Sequence, residues 1–242
     1  MSAPASTTLV VVPTYNEVES LPVLLRRLRA VHPDLPVLVV DDASPDGTGE
    51  LADQLATADA HLVVLHRAGK EGLGPAYIAG FHWAAEHGYD YVVEMDADGS
   101  HQPEQLAALL DAAAPDVLVL GSRWVSGGST QDWPWHRQLL SRSASWYSRT
   151  LLGLGTRDIT AGYRVIPVAL LEEISLENVE SHGYCFQIDV LRRIVAAGHS
   201  VVEVPITFVE RTAGKSKMDL PIVLEAMRRV TAWGVSSRLG RG

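Results

Sequence analysis

The chain has 242 residues, of which 47% are hydrophobic and 20% charged, and its formal net charge at pH 7 is −9. This composition is typical of a globular protein with a sizeable core. General nucleic-acid binding is disfavoured, because neutralising phosphates needs clustered Lys and Arg. Cys185 is the single cysteine, so no intramolecular disulfide can form, which indicates a reducing compartment. No apolar stretch approaches the roughly 20 residues that span a bilayer, so we expect a soluble or peripheral protein.

The first half of the chain alternates strand and helix patterns. The predicted strands are short apolar runs rich in β-branched residues, and the predicted helices repeat apolar residues at helical spacing. Strands fall at 9–12, 36–40, 61–65, 91–95 and 116–120, with helices at 18–31, 48–58, 76–87 and 103–114. This order predicts one α/β domain, with a Rossmann-like parallel sheet covered by helices on both faces.

The second half lacks this alternation. Residues 121–131 are predicted as a loop, helices are predicted at 168–174, 186–197 and 220–233, and a strand is predicted at 201–209. Between them, residues 133–147 combine Trp and Tyr with Arg, which predicts contact with a membrane surface. Residues 220–233 are a second candidate for that contact. The alternative is that these aromatic residues fill the core under a long loop.

Three predicted strands end in acidic residues. They are Glu17 after the first strand, Asp41 and Asp42 at the second, and Asp96-Ala97-Asp98 at the fourth. Ligands of parallel sheets bind at the carboxyl ends of the strands, so these acids should meet at one edge. Hard cations such as Mg²⁺ and Mn²⁺ take carboxylate oxygens together with substrate phosphates. Isolated loop acids are usually turn formers or helix caps, but three acidic strand ends favour a metal and nucleotide-diphosphate site.

The basic residues are concentrated in two parts of the second half. One group comprises Arg137, Arg142, Arg149, Arg157 and Arg164, and the other comprises Arg211, Lys215 and Lys217. In an acidic chain such groups suit a discrete anionic ligand, and the alternative is solvated surface. A Gly-rich segment at 66–76 suits either phosphate binding or a mobile loop. The first strand is followed by Pro-Thr-Tyr-Asn-Glu and no glycine, which argues against a nicotinamide dehydrogenase.

Several segments together carry a family resemblance. They include Val-Pro-Thr-Tyr-Asn-Glu, Val-Asp-Asp-Ala-Ser-Pro-Asp-Gly-Thr, Met-Asp-Ala-Asp-Gly-Ser-His-Gln-Pro-Glu and Asp-Ile-Thr-Ala-Gly-Tyr-Arg. Across residues 8–233 the chain resembles glycosyltransferase family 2, and more narrowly the polyprenol- and dolichol-phosphate mannosyltransferases. The resemblance implies a GT-A fold and an inverting, metal-dependent transfer of mannose from GDP-mannose to a polyprenyl monophosphate. The same chemistry with another nucleotide sugar, such as UDP-glucose, is the alternative. A noncatalytic nucleotide-sugar sensor is disfavoured by the intact acids.

The resemblance also implies roles for individual residues at the metal and the donor. Asp96 and Asp98, the D-x-D motif, would hold Mg²⁺ or Mn²⁺, and together with Arg123 they would form the catalytic group. Ser100 stands where many relatives carry Gln as a further metal ligand, so its hydroxyl or a water would take that place. Donor binding is implied for Pro13, Tyr15, Glu17, Val40, Asp42, Asp96, Ala97, Asp98, Arg123, Arg211 and Lys217.

The acceptor phosphate is assigned to the first basic group. The resemblance places it on Arg137 and Ser141, which are four residues apart and share one helix face if this segment is helical. Arg142 and Arg164 are assigned to the same phosphate. A phosphate monoester has a second pKa of about 6 and is already a dianionic nucleophile at neutral pH. We therefore predict that no catalytic base is needed.

Anchoring differs among the relatives. Some carry transmembrane helices after this domain, and others borrow a membrane partner. This chain ends soon after its last predicted helix and resembles the second kind, with the existence of a separate membrane-anchoring protein left open. We expect an enzyme in the cytoplasm, peripheral on the cytoplasmic face of a membrane.

Overall fold

The computed structural model describes residues 7–176, 184–211 and 220–238, and it is built on a central seven-stranded sheet. The strands are β1 (Thr8–Thr14), β2 (Val37–Asp41), β3 (Leu62–His66), β4 (Tyr91–Glu94), β5 (Val117–Ser122), β6 (Ser129–Gln131), β7 (Arg164–Pro167), β8 (Ser200–Pro205) and β9 (Thr207–Val209). The central order is β3-β2-β1-β4-β7-β5-β8, and β6 pairs with β9 separately. All neighbours in the central sheet are parallel except β7, which is antiparallel to both β4 and β5. The predicted α/β fold with a mostly parallel sheet is confirmed.

Helices cover both faces of this sheet. They are α1 (Leu21–Val31), α2 (Thr48–Ala56), α3 (Leu73–Glu86), α4 (Leu106–Asp111), α5 (Trp135–Leu152), α6 (Val168–Glu173), α7 (Tyr184–Ala196) and α8 (Leu220–Arg238). Successive residues of β1 supply two separate cores, with Leu9 and Val11 on one face and Val10 and Val12 on the other. In the described part of the chain, no helix is long and apolar enough to cross a bilayer.

Strands β6 and β7 and helix α5 were not predicted from the sequence. Strand β7 has only four residues, too few to show a period. Helix α5 was anticipated only as an aromatic segment, because its inward face is formed by the small polar residues Ser141, Ser145 and Ser148 in place of a leucine stripe. The predicted strand at 201–209 is divided at Ile206, since β8 joins the central sheet and β9 pairs with β6. The predicted loop at 121–131 contains β6.

Candidate active site

A cavity of about 690 Å³ lies at the carboxyl edge of the sheet and is closed on its other side by α5 and α8. Most of the predicted site residues line it, namely Pro13, Tyr15, Glu17, Asp42, Asp96, Ala97, Asp98, Ser100, Arg123, Arg137, Ser141 and Arg211. The three acidic strand ends therefore share one cavity, which is the meeting point that strand direction predicts.

Asp42 is enclosed by the Gly-rich segment that follows β3. Its carboxylate accepts hydrogen bonds from the Arg67 guanidinium and, at 3.2 Å each, from the backbone amides of Glu71 and Gly72. Arg67 also forms an ion pair with Glu71. Asp41 has a different role, because its carboxylate accepts bonds from the Thr14 hydroxyl and from Ser44 and so fixes the turn. Of this acid pair, only Asp42 lines the cavity.

The two carboxylates of the D-x-D motif have different surroundings. Asp96 accepts a hydrogen bond from the Tyr77 hydroxyl at 3.1 Å. Burial raises the pKa of Asp96, His101 opposes that rise, and the negative charge of Asp98 adds to it. Asp98 accepts the Ser100 amide at 3.0 Å, and its other oxygen lies 3.3 Å from the Arg211 guanidinium.

A hard divalent cation fits these residues. Two carboxylates face one cavity, and the cost of burying Asp96 is only partly offset by His101 and the Tyr77 hydroxyl, so a nearby cation would offset it further. The Ser100 hydroxyl is buried and has no hydrogen-bond partner among the described residues. The described residues contain no cluster of three or more acids, His or Cys suited to a metal. Asp96 and Asp98 would thus share the cation with substrate phosphate and water, as is usual for Mg²⁺.

His101, to which the sequence assigned no role, supports the D-x-D turn. Its ring stacks on Tyr163 with centroids 4.9 Å apart, and its Nδ1 accepts the Asp96 backbone amide at 3.0 Å. Burial lowers the pKa of His101, against the opposing effect of Asp96 and Asp98. The neutral ring therefore carries its proton on Nε2.

Arg123 follows β5 and is fixed in the cavity wall by Asp158. Its Nε and Nη2 each donate to a different oxygen of Asp158 at 2.7 Å, and Nη2 also donates to the Thr160 hydroxyl at 2.9 Å. This bidentate pair is buried on both sides and holds the guanidinium in one orientation. Sequence reasoning did not foresee this partner, because Asp158 lies 35 residues further along the chain.

Arg137 and Ser141 lie one turn apart on α5, and both line the cavity. Nη1 of Arg137 donates to both oxygens of Glu210 at 2.6 and 2.7 Å. The Ser141 hydroxyl lies 3.3 Å from that of Thr160, which connects it to the Arg123 group. Glu210 was not singled out in the sequence, since a single acid near a strand end carries no specific signal.

The structure places three other predicted site residues away from the cavity. Arg142 is exposed, because a helix turns about 100° between Ser141 and the next residue. Arg164 is fully buried and donates to the carbonyls of Ile159, Ala161 and Gln187, so its position argues against contact with an acceptor phosphate. Val40 is buried inside β2.

Lys217 lies outside the described residues.

A buried ion pair lies under the cavity floor. The Arg164 guanidinium is 3.8 Å from the Glu94 carboxylate. Burial raises the pKa of Glu94 to about 7, and the charge of Arg164 opposes that rise. The pair supports β4 and β7 at the point where the D-x-D turn begins, so Arg164 is a structural residue beneath the site.

Solved structures share this fold. Glucosyl-3-phosphoglycerate synthase from Mycobacterium tuberculosis matches with a TM-score of 0.64 and 20% identity, over 98% of this chain and 81% of that one. A mannosyltransferase from Pyrobaculum calidifontis, solved with GDP-Man and Mn²⁺, matches with a TM-score of 0.58 and 18% identity, over 98% and 76% of the two chains. The fold is that of the GT-A glycosyltransferases.

Sequence comparison identifies the family. The family model described as Glycosyl transferase family 2 matches residues 9–175. Polyprenol monophosphomannose synthase of Mycolicibacterium smegmatis is 55% identical over 98% of this chain and 91% of the relative. Undecaprenyl-phosphate mannosyltransferase of Micrococcus luteus is 56% identical over 95% of each chain. The chain belongs to glycosyltransferase family 2.

Proposed function

We propose that this enzyme transfers mannose from GDP-mannose to a polyprenyl monophosphate, with a divalent cation as cofactor. The observation that carries the proposal is that one cavity contains two separate groups suited to anions. Asp96 and Asp98 with Arg123 and Arg211 form one group, and Arg137 with Ser141 forms the other. The names of the two relatives with 55% and 56% identity support the same donor sugar and acceptor class.

The donor group would bind and stabilise the leaving diphosphate. Asp96 and Asp98 would hold the cation, which supplies positive charge against the departing phosphates when it is bound. Arg123, kept in place by Asp158, and Arg211 would add two fixed cationic groups. In many enzymes, charged or polar groups that are already oriented make the largest single contribution to lowering the reaction barrier.

The acceptor group would orient the nucleophile. Arg137 and Ser141 would hold the acceptor phosphate so that one of its oxygens attacks the anomeric carbon as the bond to the diphosphate breaks. Inversion follows from a single displacement of this kind. Because Glu210 already occupies Arg137 in the free enzyme, acceptor binding would exchange one anion for another on the same guanidinium.

The function is tested by offering the enzyme a panel of radiolabelled nucleotide sugars with polyprenyl phosphate and a divalent metal, then extracting the lipid. We expect label in the lipid phase from GDP-mannose. Label from UDP-glucose alone would establish the alternative donor, and no label from any donor would contradict the transferase.

Replacing Arg137 by Ala should raise the acceptor KM by about tenfold or more and leave the donor KM within about twofold, since a charge-assisted bond to phosphate contributes roughly 1.5–3 kcal/mol. Initial rates with a short-chain polyprenyl phosphate measure both constants. Arg142→Ala is the comparison on the same helix, since Arg142 lies outside the cavity. An equal rise in acceptor KM for both variants would contradict the assignment of the acceptor phosphate to Arg137 and not to Arg142.

Ser100→Ala should lower kcat/KM by no more than about tenfold, equivalent to roughly 1.4 kcal/mol in the barrier. The hydroxyl is buried beside the two carboxylates and makes no bond in the described structure. It is therefore placed for a secondary contact with the cation. Metal titration of the variant against the wild type measures the effect, and a loss as severe as that of Asp98→Asn would make the serine a full ligand.

The pH dependence of kcat/KM for the acceptor should rise as the acceptor phosphate loses its second proton near pH 6 and then level off. Two other buried carboxylates are already paired with arginine: Asp158 is bound on both oxygens by Arg123, and Asp189 pairs with Arg192 and Arg193. Glu210 is the cavity carboxylate beside Arg137, so Glu210→Gln is the informative variant. An acidic limb that shifted or vanished in this variant would make Glu210 a base.

We also propose that the enzyme sits on the cytoplasmic face of a membrane, where its acceptor resides. On the outer face of α5, Trp135 is 75% exposed, Trp146 65% and Leu139 57%. Two aromatic residues of the predicted membrane segment are exceptions. Trp133 is buried against Phe208 and Arg123 in the cavity wall, and Tyr147 is half-buried, packs against the core and lines the cavity. A separate membrane-anchoring protein is part of the same proposal.

A further inference from the structure

A second cleft lies on the side of α5 that faces away from the active-site cavity. It has a volume of about 350 Å³ and is lined by Trp124, Arg142, Trp146, Arg149 and Arg157. The proposed transfer reaction uses none of these side chains. We call this group the Arg-Trp cleft.

Among the residues that the structure describes, the three arginines of the Arg-Trp cleft have no acidic partner. In the described part of the chain, no carboxylate lies within ion-pair distance of Arg142, Arg149 or Arg157. Glu203 lies near Arg157, but its two oxygens accept the backbone amides of Arg157 and Asp158 at 2.8 and 2.9 Å. Unbalanced like charges repel, so three of them around one cleft in a chain of net charge −9 indicate an anionic ligand.

The cleft is partly preformed. Residues 142, 146 and 149 fall at i, i+4 and i+7 on α5 and share one helix face. The Arg142 guanidinium lies over the Trp124 ring, 4.4 Å from its centroid, which limits the orientations of that side chain. Trp124 in turn stacks on Trp133, whose ring lines the active-site cavity. The cleft and the cavity are thus separated by α5 and one pair of indoles.

The rim of the cleft is apolar. Trp135 and Leu139 precede Arg142 on the same helix face, and Trp146 follows it. All three are more than half exposed. Trp at such positions favours the headgroup layer of a bilayer, and Arg beside it can reach lipid phosphates. A soluble phosphate ligand would gain nothing from this apolar rim.

We propose that the Arg-Trp cleft binds the phosphate of an anionic phospholipid headgroup, while Trp135, Leu139 and Trp146 enter the interface. The choice of a lipid over a soluble anion rests on the proposed function, since a polyprenyl acceptor is reached at a bilayer. The headgroup site is distinct from the acceptor site on Arg137 and Ser141, from which α5 separates it. The bound lipid keeps the enzyme at the surface that holds its acceptor.

Vesicle flotation tests the headgroup site without any sugar or polyprenyl phosphate present. Vesicles of phosphatidylcholine alone are compared with vesicles that also contain phosphatidylglycerol. For Arg149→Gln/Arg157→Gln we expect the partition coefficient onto the anionic vesicles to fall by about thirtyfold, roughly fivefold for each arginine near the surface. The control is Arg26→Gln/Arg27→Gln on α1, which removes the same charge at two residues that do not line the cleft. It also breaks the ion pair between Arg27 and Glu104, so its melting temperature is measured alongside. An equal loss in both double variants would overturn the site, because only net charge would then matter.

Two further experiments distinguish a lipid phosphate from a free phosphate as the ligand, and the headgroup site from the proposed transfer reaction. Trp146→Ser should weaken binding to both kinds of vesicle, and glycerol phosphate in solution should bind the wild type no more tightly than it binds Arg149→Gln/Arg157→Gln. Tight binding of glycerol phosphate that this double variant abolishes would make the cleft a site for a free anion and overturn the lipid. Transfer to a short-chain acceptor without membranes is scored separately and should be unchanged in this double variant. If the wild type transfers no mannose, the proposed function is contradicted. If Arg149→Gln/Arg157→Gln nevertheless loses binding to anionic vesicles, the headgroup site is still supported.

Discussion

Replacing Asp98 by Asn is expected to lower kcat/KM for sugar transfer on the order of a thousandfold, equivalent to about 4 kcal/mol in the barrier. Asn keeps the size of the side chain and can still accept the Ser100 amide, so the turn should survive. What it loses is the negative charge that would hold the cation next to the leaving diphosphate. Initial rates across a series of Mg²⁺ and Mn²⁺ concentrations measure the loss.

Two controls accompany this variant. Asp34→Asn removes the same charge from an exposed site and should leave the rate unchanged. The melting temperature of Asp98→Asn should stay near that of the wild type, which rules out unfolding as the cause. Full activity of the wild-type enzyme in excess chelator would contradict the metal site itself.

Arg123→Gln is expected to lower kcat by about a hundredfold or more, since removing one oriented group that stabilises developing charge costs roughly 3 kcal/mol. The variant also leaves Asp158 as a buried charge without its partner, which costs about 3–5 kcal/mol of folding free energy. Activity and stability therefore have to be separated. The double variant Arg123→Gln/Asp158→Asn removes the orphaned charge, so it should recover much of the stability and none of the rate.

Single-turnover rates and thermal melts of both variants make that separation. Recovery of the rate together with the stability in the double variant would show that Arg123 acts only as a structural partner of Asp158. Arg123→Lys adds a further comparison, because Lys keeps the charge and loses the bidentate geometry. An intermediate rate is expected for it.

The donor half of the site could be predicted from the sequence, and the acceptor half only in part. The acids after β1, β2 and β4 follow apolar strands, so strand direction alone brings them to one edge. On the acceptor side, Arg137 and Ser141 share a helix face by their spacing. Arg142 lies on another face, and the family resemblance alone had assigned it to the acceptor phosphate. The partners of the arginines were beyond prediction, since Asp158 and Glu210 are reached through tertiary packing over 35 and 73 residues.

The antiparallel strand β7 has an evolutionary consequence. Because β5 and β7 are neighbours, with the Gly121 amide bonded to the Tyr163 carbonyl at 2.8 Å, the chain leaves and re-enters the sheet at almost the same place. The segment between them includes α5 and is attached to the central sheet at these two adjacent strands. It also contacts the rest of the molecule where β6 pairs with β9 and where α5 packs on α8. We expect an insert attached in this way to be exchangeable among relatives without rebuilding the central sheet, provided that its contacts with β9 and α8 are kept. A chimera that takes residues 124–157 from a relative with a different acceptor, and so keeps Arg123 and Asp158, should therefore acquire the new acceptor and keep its sugar donor.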